Sequence, residues 1–391
     1  MTRLITGSGR LLTPDPYDGP SPWAIAVSDG RVTWVGSRGD APPADDTVDV
    51  GSALVTPGLV DAHTHPVFAG DRSDEAAARL AGEPYTGGGI LRTVQVTRAA
   101  SDDELEALVM SRLTRQLRAG TTTVEAKSGY GLSQAEELRH LRIIGRVAAR
   151  MPIRVVATFL GAHARPPDSP GYVDEIVGAM LPAVAAEGLA GFCDVFCDTG
   201  FFTVEEAERI LRAALAAGLE TRLHADQLQR IGATALAVRL GATSADHLEQ
   251  LDEEGVRLLA GSPTVATLLP GPALVMRDRL PPARALLDAG ATVALASDAN
   301  AGTFGSWGAM PLVIGLGSTL LGMTAGEAVR AATVGGAAAL RMGGERGQLA
   351  PGAVADLVAW DAGHEGAFAL HLGSVRPVHV IVAGEVIAGT D

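Results

Sequence analysis

The sequence predicts an α/β protein in which a TIM-type (β/α)8 barrel carries a small β-sandwich domain built from both chain ends. Two observations predict the barrel. Short apolar segments alternate with alanine-rich amphipathic segments through the middle of the chain, and the strand candidates there number eight. A third observation predicts the small domain, because both ends of the chain consist of short strand-like segments and turns.

The two ends of the chain contain similar strand-like segments. Residues 24–27 and 31–36 flank Asp29-Gly30, a pair that favours a tight hairpin turn. Residues 355–361 and 378–387 repeat this strand character near the other end. We therefore predict that segments distant in the sequence form one small β domain.

The barrel is predicted over residues 57–346, which leaves 1–56 and 347–391 for the small domain. The first strand of the barrel is predicted to end at His63. The other seven strand candidates are residues 121–125, 154–160, 191–196, 221–224, 244–247, 264–268 and 292–296. Helix candidates lie between them, and Thr203-Val204-Glu205-Glu206 has the capping pattern that begins one of these helices.

Composition and charge exclude several classes of function. The formal charge of −14 argues against binding to nucleic acid, whose phosphates need a basic surface. No segment approaches the roughly 18 uninterrupted apolar residues of a membrane helix, and no apolar signal-peptide run opens the chain. The two cysteines, Cys193 and Cys197, fit a reducing compartment. We therefore expect a cytoplasmic protein without a membrane or nucleic-acid partner.

The first barrel strand ends in a pair of histidines, His63 and His65. Side chains alternate along a strand, so residues two apart point to the same side. Two imidazoles on one side of a strand end form half of a metal site. The other half should lie at equivalent strand ends, because barrel enzymes carry their chemistry there.

Four further residues end other strands of the predicted barrel. They are His163 after strand three, His224 after strand five, His247 after strand six and Asp298 after strand eight. Any one of them alone could equally be a buried core residue with its hydrogen bonds satisfied or part of a functional site. Five histidines and one aspartate at matching strand ends instead indicate a shared site at one barrel mouth.

We assign one divalent metal, zinc or iron(II), to the ligands His63, His65, His224 and Asp298, since both metals accept three imidazoles and a carboxylate. The metal lowers the pKa of a water in its open position. Asp298 is then the natural base for the attacking water. His247 is placed to polarise the substrate carbonyl or to move the proton.

These motifs resemble the amidohydrolase superfamily, as does the closing stretch at residues 351–358. Within it the chain is similar to the imidazolonepropionases over nearly its whole length. The stretches specific to that family are residues 63–72, 124–132, 161–167 and 192–197. Two-metal relatives use a lysine on strand four, which is absent from 191–197 here. Lys127 lies on strand two, so the resemblance implies a single metal.

The resemblance implies hydrolysis of the ring amide of 4-imidazolone-5-propanoate to N-formimino-L-glutamate, the third step of histidine degradation. It implies that Arg72 binds the propionate, which a guanidinium can pair bidentately. It also implies that further positions bind the substrate or product, namely Tyr130, His163, Gln227, Asn300, Gly302 and Thr303.

Three departures from the family pattern concern the site. Gln227 stands where many relatives have a glutamate, and an amide cannot act as a general base. Relatives often read Asn-Pro-Gly where this chain has Asn300-Ala301-Gly302, so the loop loses the fixed φ of proline. The segment between Tyr85 and Gly89 is shorter than in many relatives, which leaves open whether Tyr85 contacts the substrate.

Two other functions fit part of the pattern. The ligand set alone also suits a nucleobase deaminase or a lactam or hydantoin hydrolase. A non-catalytic scaffold is a further alternative, although such proteins typically lose ligands and all four are present. The sequence does not distinguish zinc from iron as the bound metal. It also does not decide how Asp298 and His247 divide the acid and base roles. A homodimer is the expected assembly.

Overall fold

The structure is a computed structural model that describes residues 2–13, 19–82, 88–167 and 169–389. Its strands are β1 Thr2–Gly7, β2 Trp23–Ser28, β3 Arg31–Ser37, β4 Asp46–Asp49, β5 Leu54–Pro57, β6 Leu59–Asp61, β7 Thr121–Lys127, β8 Arg154–Ala162, β9 Phe192–Cys197, β10 Glu220–Ala225, β11 Ser244–His247, β12 Val265–Leu268, β13 Val293–Leu295, β14 Leu357–Trp360, β15 Pro377–Val382 and β16 Glu385–Gly389.

Its α-helices are α1 Ser73–Leu80, α2 Gly89–Ala99, α3 Asp102–Arg118, α4 Gln134–Ala148, α5 Tyr172–Glu175, α6 Leu181–Glu187, α7 Val204–Ala216, α8 Ala233–Leu240, α9 Glu253–Ala260, α10 Pro270–Met276, α11 Ala283–Asp288, α12 Met310–Leu320, α13 Ala325–Arg330, α14 Gly336–Ala339 and α15 Ala367–Leu370. One 3-10 helix, Arg38–Asp40, and two π-helical segments, Ile176–Met180 and Ala331–Gly335, complete the regular elements.

Strands β6 to β13 form one eight-stranded sheet in sequence order, and every neighbouring pair is parallel. Backbone hydrogen bonds close this sheet into a barrel: Asp298 N donates to His63 O at 3.0 Å and His65 N to Ala299 O at 2.9 Å. The closure joins the segment after β6 to the segment after β13. The predicted TIM-type barrel is confirmed.

Two four-stranded sheets flank the barrel, with strand orders β3-β2-β1-β4 and β16-β15-β14-β5. The second sheet contains strands from both chain ends, because β5 pairs with β14 in antiparallel register. The side chains of Ile5, Trp23, Leu357 and Ile381 are fully buried in one apolar cluster shared by the two sheets. The predicted small β-sandwich domain is therefore confirmed, while its exact limits at residues 56/57 and 346/347 stay a prediction.

The apolar run before His63 forms two strands, whereas the sequence predicts one. Leu54–Pro57 belongs to the small domain and Leu59–Asp61 to the barrel. Gly58 separates them in a place that has no room for a side chain, since a Cβ there would lie 2.1 Å from Thr122 Oγ1. This junction brings the small domain against the base of the first barrel strand.

Helix α7 shows how local sequence sets an element. Thr203 Oγ1 accepts from Glu206 N, and the Glu206 carboxylate accepts from Thr203 N, which is the predicted capping box. Val204, the first residue of the helix, follows directly.

Within the described ranges no helix combines the length and the apolar character needed to span a bilayer.

Candidate functional site

All of the strand-end residues predicted from the sequence except His63, which is fully buried, line one cavity at the C-terminal mouth of the barrel. His224 lies on β10, His247 ends β11 and His163 directly follows β8. His65 lies four residues after the end of β6, and Asp298 lies three residues after the end of β13. The cavity is lined by His65, Arg72, Ile90, Tyr130, His163, Phe196, His224, Gln227, His247, Asp298, Asn300 and Thr303. The fold thus brings together residues from eight separate stretches of sequence.

Four side chains point their ligand atoms at a common point. His63 Nε2 lies 3.2 Å from both His224 Nε2 and His65 Nε2. Asp298 Oδ1 lies 3.3 Å from His65 Nε2 and 3.7 Å from His63 Nε2. The edge of a tetrahedron around a zinc ion with ordinary Zn–N bonds is about 3.3 Å. The donor set and its spacing therefore fit a single bound metal ion.

His247 lies close enough to be a rival ligand. The ligand atoms of His63, His224 and His247 all lie within 4.8 Å of one another, as do those of His63, His65 and Asp298. A third group, His63, Asp194 and Asp246, meets the same distance test, so geometry alone gives three overlapping groups among the described residues, and all share His63. The assignment of Asp298 as a ligand and of His247 as a catalytic residue stays a prediction.

Carboxylates lie close to the outer nitrogens of two of the histidines, as a hydrogen-bond partner of His63 and as a close charged contact of His224. Asp246 Oδ2 lies 2.7 Å from His63 Nδ1, and Asp194 Oδ2 lies 3.0 Å from His224 Nδ1. An acceptor at Nδ1 favours the tautomer that turns the Nε2 lone pair toward the cavity. Neither aspartate was singled out from the sequence as a site residue, although Asp194 lies in the 192–197 family stretch and Asp246 precedes His247.

Burial keeps these imidazoles neutral. Desolvation, with the charge of Lys127, holds the pKa of His63 well below its usual value. Desolvation also lowers the pKa of His224 to about 4, although the Asp194 carboxylate opposes the shift. Burial opposes ionisation of Asp298, but the hydrogen bond and charge of His65 outweigh it, so the pKa of this carboxyl is lowered. Neutral imidazoles and an ionised carboxylate are the forms that bind a metal.

His247 is paired with a buried carboxylate. Its Nδ1 lies 3.4 Å from Glu249 Oε1, and both side chains are buried. Burial disfavours the imidazolium, but the charge of Glu249 outweighs burial and raises the pKa of His247. Glu249 was missed from the sequence, where its place two residues after His247 is the only signal.

Several non-glycine residues around the site have left-handed backbone conformations. The φ angles are 49° at Asp226, 83° at His247, 70° at Leu248 and 50° at Asp298. Such conformations cost of order 1–3 kcal/mol each and persist only where the surrounding structure imposes them. Their concentration at the ends of three strands is typical of a functional site and is not predictable from the sequence.

Arg72 lies at the rim of the cavity and is only 4% exposed. Its Nε and Nη2 donate to the two oxygens of Glu75, at 2.9 and 2.7 Å. Arg79 Nη1 donates to the same carboxylate at 2.9 Å, and its Nη2 donates to Gly302 O at 2.8 Å. Glu75 and Arg79 were missed from the sequence, although their spacing of three and seven residues from Arg72 places them on one face of α1.

The loop after Asp298 is shaped by one amide side chain. Asn300 Oδ1 accepts from Gly302 N at 2.7 Å and from Thr303 N at 2.8 Å, while its Nδ2 donates to Thr303 Oγ1 at 2.7 Å. A Cβ at Gly302 would lie 2.3 Å from the Arg72 guanidinium, so glycine at this position leaves room for Arg72 where it lies in the structure. These hydrogen bonds of Asn300 fix the shape of the loop in which Ala301 stands at the position of the proline that relatives often have.

Aromatic rings form the wall opposite this loop. The His163 ring stacks on His65 with a centroid distance of 5.1 Å, and its Nδ1 lies 2.9 Å from Gly129 O. Tyr130 packs edge-on against His163, also at 5.1 Å. These flat surfaces can hold a planar ring. Tyr85 lies outside the described residues.

Gln227 is positioned by a carboxylate that the sequence analysis missed. Asp198 accepts from the backbone N–H groups of Thr199, Gln227, Leu228 and Gln229, at 2.7 to 3.0 Å. It thereby fixes the loop after β10 that carries Gln227.

Cys193 and Cys197 are buried free thiols, and burial raises the pKa of Cys197 to about 12, which disfavours the thiolate that a metal needs.

Sequence comparison places the chain among the amidohydrolases. Residues 54–387 match the family model described as "Amidohydrolase family". The chain is similar to an imidazolonepropionase from Nocardia farcinica, with 46% identity over 371 residues that cover 92% of each chain. It is also similar to an imidazolonepropionase from Salinispora tropica, with 50% identity over 347 residues, or 87% of this chain and 86% of that one.

Structural comparison agrees on the fold. A crystal structure of an adenosine deaminase from Xanthomonas campestris with bound zinc superposes with a TM-score of 0.75, covering 99% of this chain and 93% of that one. The identity between the two sequences is 21%, so the likeness concerns the fold alone.

Proposed function

Because this chain belongs to the amidohydrolase family, and within it to the imidazolonepropionases, we propose that it hydrolyses the ring amide C–N bond of 4-imidazolone-5-propanoate to give N-formimino-L-glutamate, the third step of histidine degradation. One observation carries this proposal beyond the family relationship. The cavity that contains the candidate metal ligands His65, His224 and Asp298 also contains Arg72, a cation suited to the propionate.

We propose that His63, His65, His224 and Asp298 hold one divalent metal, zinc or iron(II). The distances of 3.2 to 3.7 Å between their ligand atoms support this set. When bound, the metal supplies Lewis-acid chemistry, which polarises the ring carbonyl and lowers the pKa of water.

Asp298 acts as the base in the proposed reaction. Its carboxylate, ionised through its contact with His65, accepts a proton from the water that attacks the ring carbonyl carbon. When the C–N bond breaks, Asp298 returns the proton to the leaving ring nitrogen. The carbonyl carbon becomes the new carboxylate of the product. Gln227 cannot take the role of base, because an amide does not ionise.

His247 assists on the carbonyl side. Glu249 favours its protonated form, so His247 can donate a hydrogen bond to the carbonyl oxygen as negative charge develops there. The left-handed backbone at residues 247 and 248 holds the ring in place. This division leaves proton transfer to Asp298 and polarisation to His247.

The remaining cavity residues bind and orient the substrate. Arg72 pairs with the propionate, and Tyr130 and His163 contact the flat imidazolone ring. Gln227 hydrogen-bonds the ring or the water. A group formed by Asn300, Gly302 and Thr303 holds a substrate or product carboxylate: Asn300 shapes the loop, Gly302 lets Arg72 approach, and the Thr303 hydroxyl donates.

We further propose a homodimer that works in the cytoplasm on a small carboxylate-bearing substrate, without nucleic-acid or membrane partners. The free thiols of Cys193 and Cys197 support a reducing compartment. The net charge of −14 supports the exclusion of nucleic acid.

An ultraviolet assay with purified protein tests the activity. We expect loss of the imidazolone absorbance and formation of N-formimino-L-glutamate, with no turnover of guanine, cytosine or dihydroorotate. Protein treated with a chelator should lose the activity and regain it when one equivalent of zinc or iron(II) is added. Turnover of a nucleobase without turnover of the imidazolone would overturn the proposal.

A further inference from the structure

Five charged side chains lie buried beneath the candidate metal ligands, and we call them the charge ring: Glu125, Lys127, Asp194, Arg222 and Asp246. All five side chains are 0% exposed. They come from four strands, β7, β9, β10 and β11. The proposed mechanism gives none of them a step. Buried charges are rare unless they are paired, so this cluster requires an explanation.

The members of the charge ring alternate in sign and each contacts the next. Lys127 Nζ donates to Glu125 Oε1 at 2.8 Å and to Asp194 Oδ2 at 2.7 Å. Arg222 Nη1 lies 3.1 Å from Glu125 Oε1, and Arg222 Nη2 donates to Asp246 Oδ2 at 2.9 Å. The chain of contacts therefore begins at Asp194 and ends at Asp246, with Glu125 in the middle.

Both ends of this chain of contacts reach a candidate metal ligand. Asp246 lies 2.7 Å from His63 Nδ1, and Asp194 lies 3.0 Å from His224 Nδ1. The circuit closes on the far side, where the Nε2 atoms of the two histidines are 3.2 Å apart. The five side chains thus connect the outer nitrogens of two imidazoles whose inner nitrogens face the metal position.

One oxygen of each aspartate contacts both a cation and a histidine. Asp194 Oδ2 contacts Lys127 Nζ and His224 Nδ1, and Asp246 Oδ2 contacts Arg222 Nη2 and His63 Nδ1. Without Lys127, the Asp194 carboxylate would lose its contact with a cation and would keep the neutral contacts to His224 Nδ1 and His224 N. It could then rotate away from the imidazole. Without Arg222, Asp246 would likewise lose its hold. A displaced carboxylate no longer accepts from Nδ1, and the imidazole then loses the support that fixes its orientation.

We propose that the charge ring is a positioning device for metal binding, in which Lys127 and Arg222 hold Asp194 and Asp246 so that His224 and His63 present Nε2 to the metal. Lys127 and Arg222 are positioning residues and do not contact substrate. The inference rests on the proposed metal site and goes beyond it, because it assigns a role to residues outside the ligand set.

Removal of Lys127 distinguishes two ways in which this residue could affect the affinity for the metal, through its charge or through the position of Asp194. If only net charge mattered, loss of a cation near the site would strengthen binding of a divalent metal, since like charges repel. If Lys127 acts by positioning Asp194, its loss weakens binding. Changes to residues that support metal ligands typically weaken metal binding 10- to 100-fold. The two explanations therefore predict opposite signs.

The experiment measures the Kd for Zn²⁺ by competition with a chelating dye, using metal-free preparations of the full-length protein. We expect Lys127→Met to raise the Kd about 10- to 100-fold. Arg346→Met is the matched control, because Arg346 also pairs with a buried carboxylate, Asp356, but lies at the small domain. Its Kd should stay within about twofold of the parent protein. An unchanged or lower Kd in Lys127→Met overturns the proposal.

A second measurement needs no variant and covers the case in which Lys127→Met fails to fold. Long-range proton–nitrogen NMR of the parent protein reports which ring nitrogen carries hydrogen in each histidine. We expect His63 and His224 to carry it on Nδ1. Hydrogen on Nε2 in either residue would refute the proposal. A parent protein that binds no Zn²⁺ would instead refute the proposed metal site, so the two failures are distinguishable.

Discussion

Replacement of Arg72 tests how the substrate is recognised. Arg72→Met removes the guanidinium, which lies against Gly302, but keeps most of the aliphatic stem. Glu75 keeps a partner, since Arg79 Nη1 lies 2.9 Å from the same carboxylate, so the substitution does not leave an unpaired buried charge. The loss should therefore fall on substrate binding. A charge-assisted hydrogen-bonded contact contributes about 1.5–3 kcal/mol, which corresponds to a rise in KM of about 10- to 150-fold.

The kinetic pattern distinguishes binding from catalysis. Because the propionate is remote from the bond that breaks, its contact should be equal in the ground and transition states, and kcat should change less than about threefold. Arg92→Met is the control, since Arg92 forms an exposed ion pair with Asp74 nearby on the surface. Steady-state rates at saturating metal check both variants. A KM within about twofold of the parent value in Arg72→Met would refute the assignment of Arg72 to the propionate.

Three further predictions concern the metal, the pH dependence and the fold. His224→Ala should lose its bound metal in elemental analysis, and full occupancy would contradict the ligand assignment. His140 is buried without a hydrogen-bond partner for either ring nitrogen within the described ranges, and desolvation lowers its pKa to about 3. Below a pH of about 6.5 the unfolded chain therefore binds a proton at His140 that the folded protein does not, and the free energy of unfolding decreases as the pH falls. Between pH 7 and pH 5 this effect lowers the free energy of unfolding by about 2 kcal/mol. In urea unfolding, His140→Leu should therefore lose about 2 kcal/mol less stability over this interval than the parent protein loses. Thr203→Ala should lower the free energy of unfolding by about 1 kcal/mol, whereas Thr203→Ser should retain most of it.

The sequence predicts those features that depend on local pattern. The alternation of strands and helices gives the barrel, and the capping box at Thr203 gives the start of α7. The positions of His63, His65, His224 and Asp298 near the ends of predicted strands indicate them as candidate metal ligands. These residues could be grouped because parallel strands in a barrel share one mouth, so the position of a residue along its strand determines where it lies.

The sequence does not predict features that depend on contacts across the barrel. Arg222 and Glu125 are far apart in sequence, and their contact exists only because the barrel brings β7 and β10 around a common interior. The split of the first apolar run at Gly58 depends on the space left by Thr122. Asp198 could not be linked to Gln227 because its partners are backbone N–H groups, which leave no mark in the sequence.

A crystal structure of the metal-loaded protein with a non-hydrolysable substrate analogue tests the central claim most directly. Anomalous scattering should show one metal peak, bound by Nε2 of His63, His65 and His224 and by the Asp298 carboxylate. The analogue's propionate should lie against Arg72. A peak at Cys193 or Cys197, a second metal of equal occupancy, or an analogue whose carboxylate lies away from Arg72 would contradict the account.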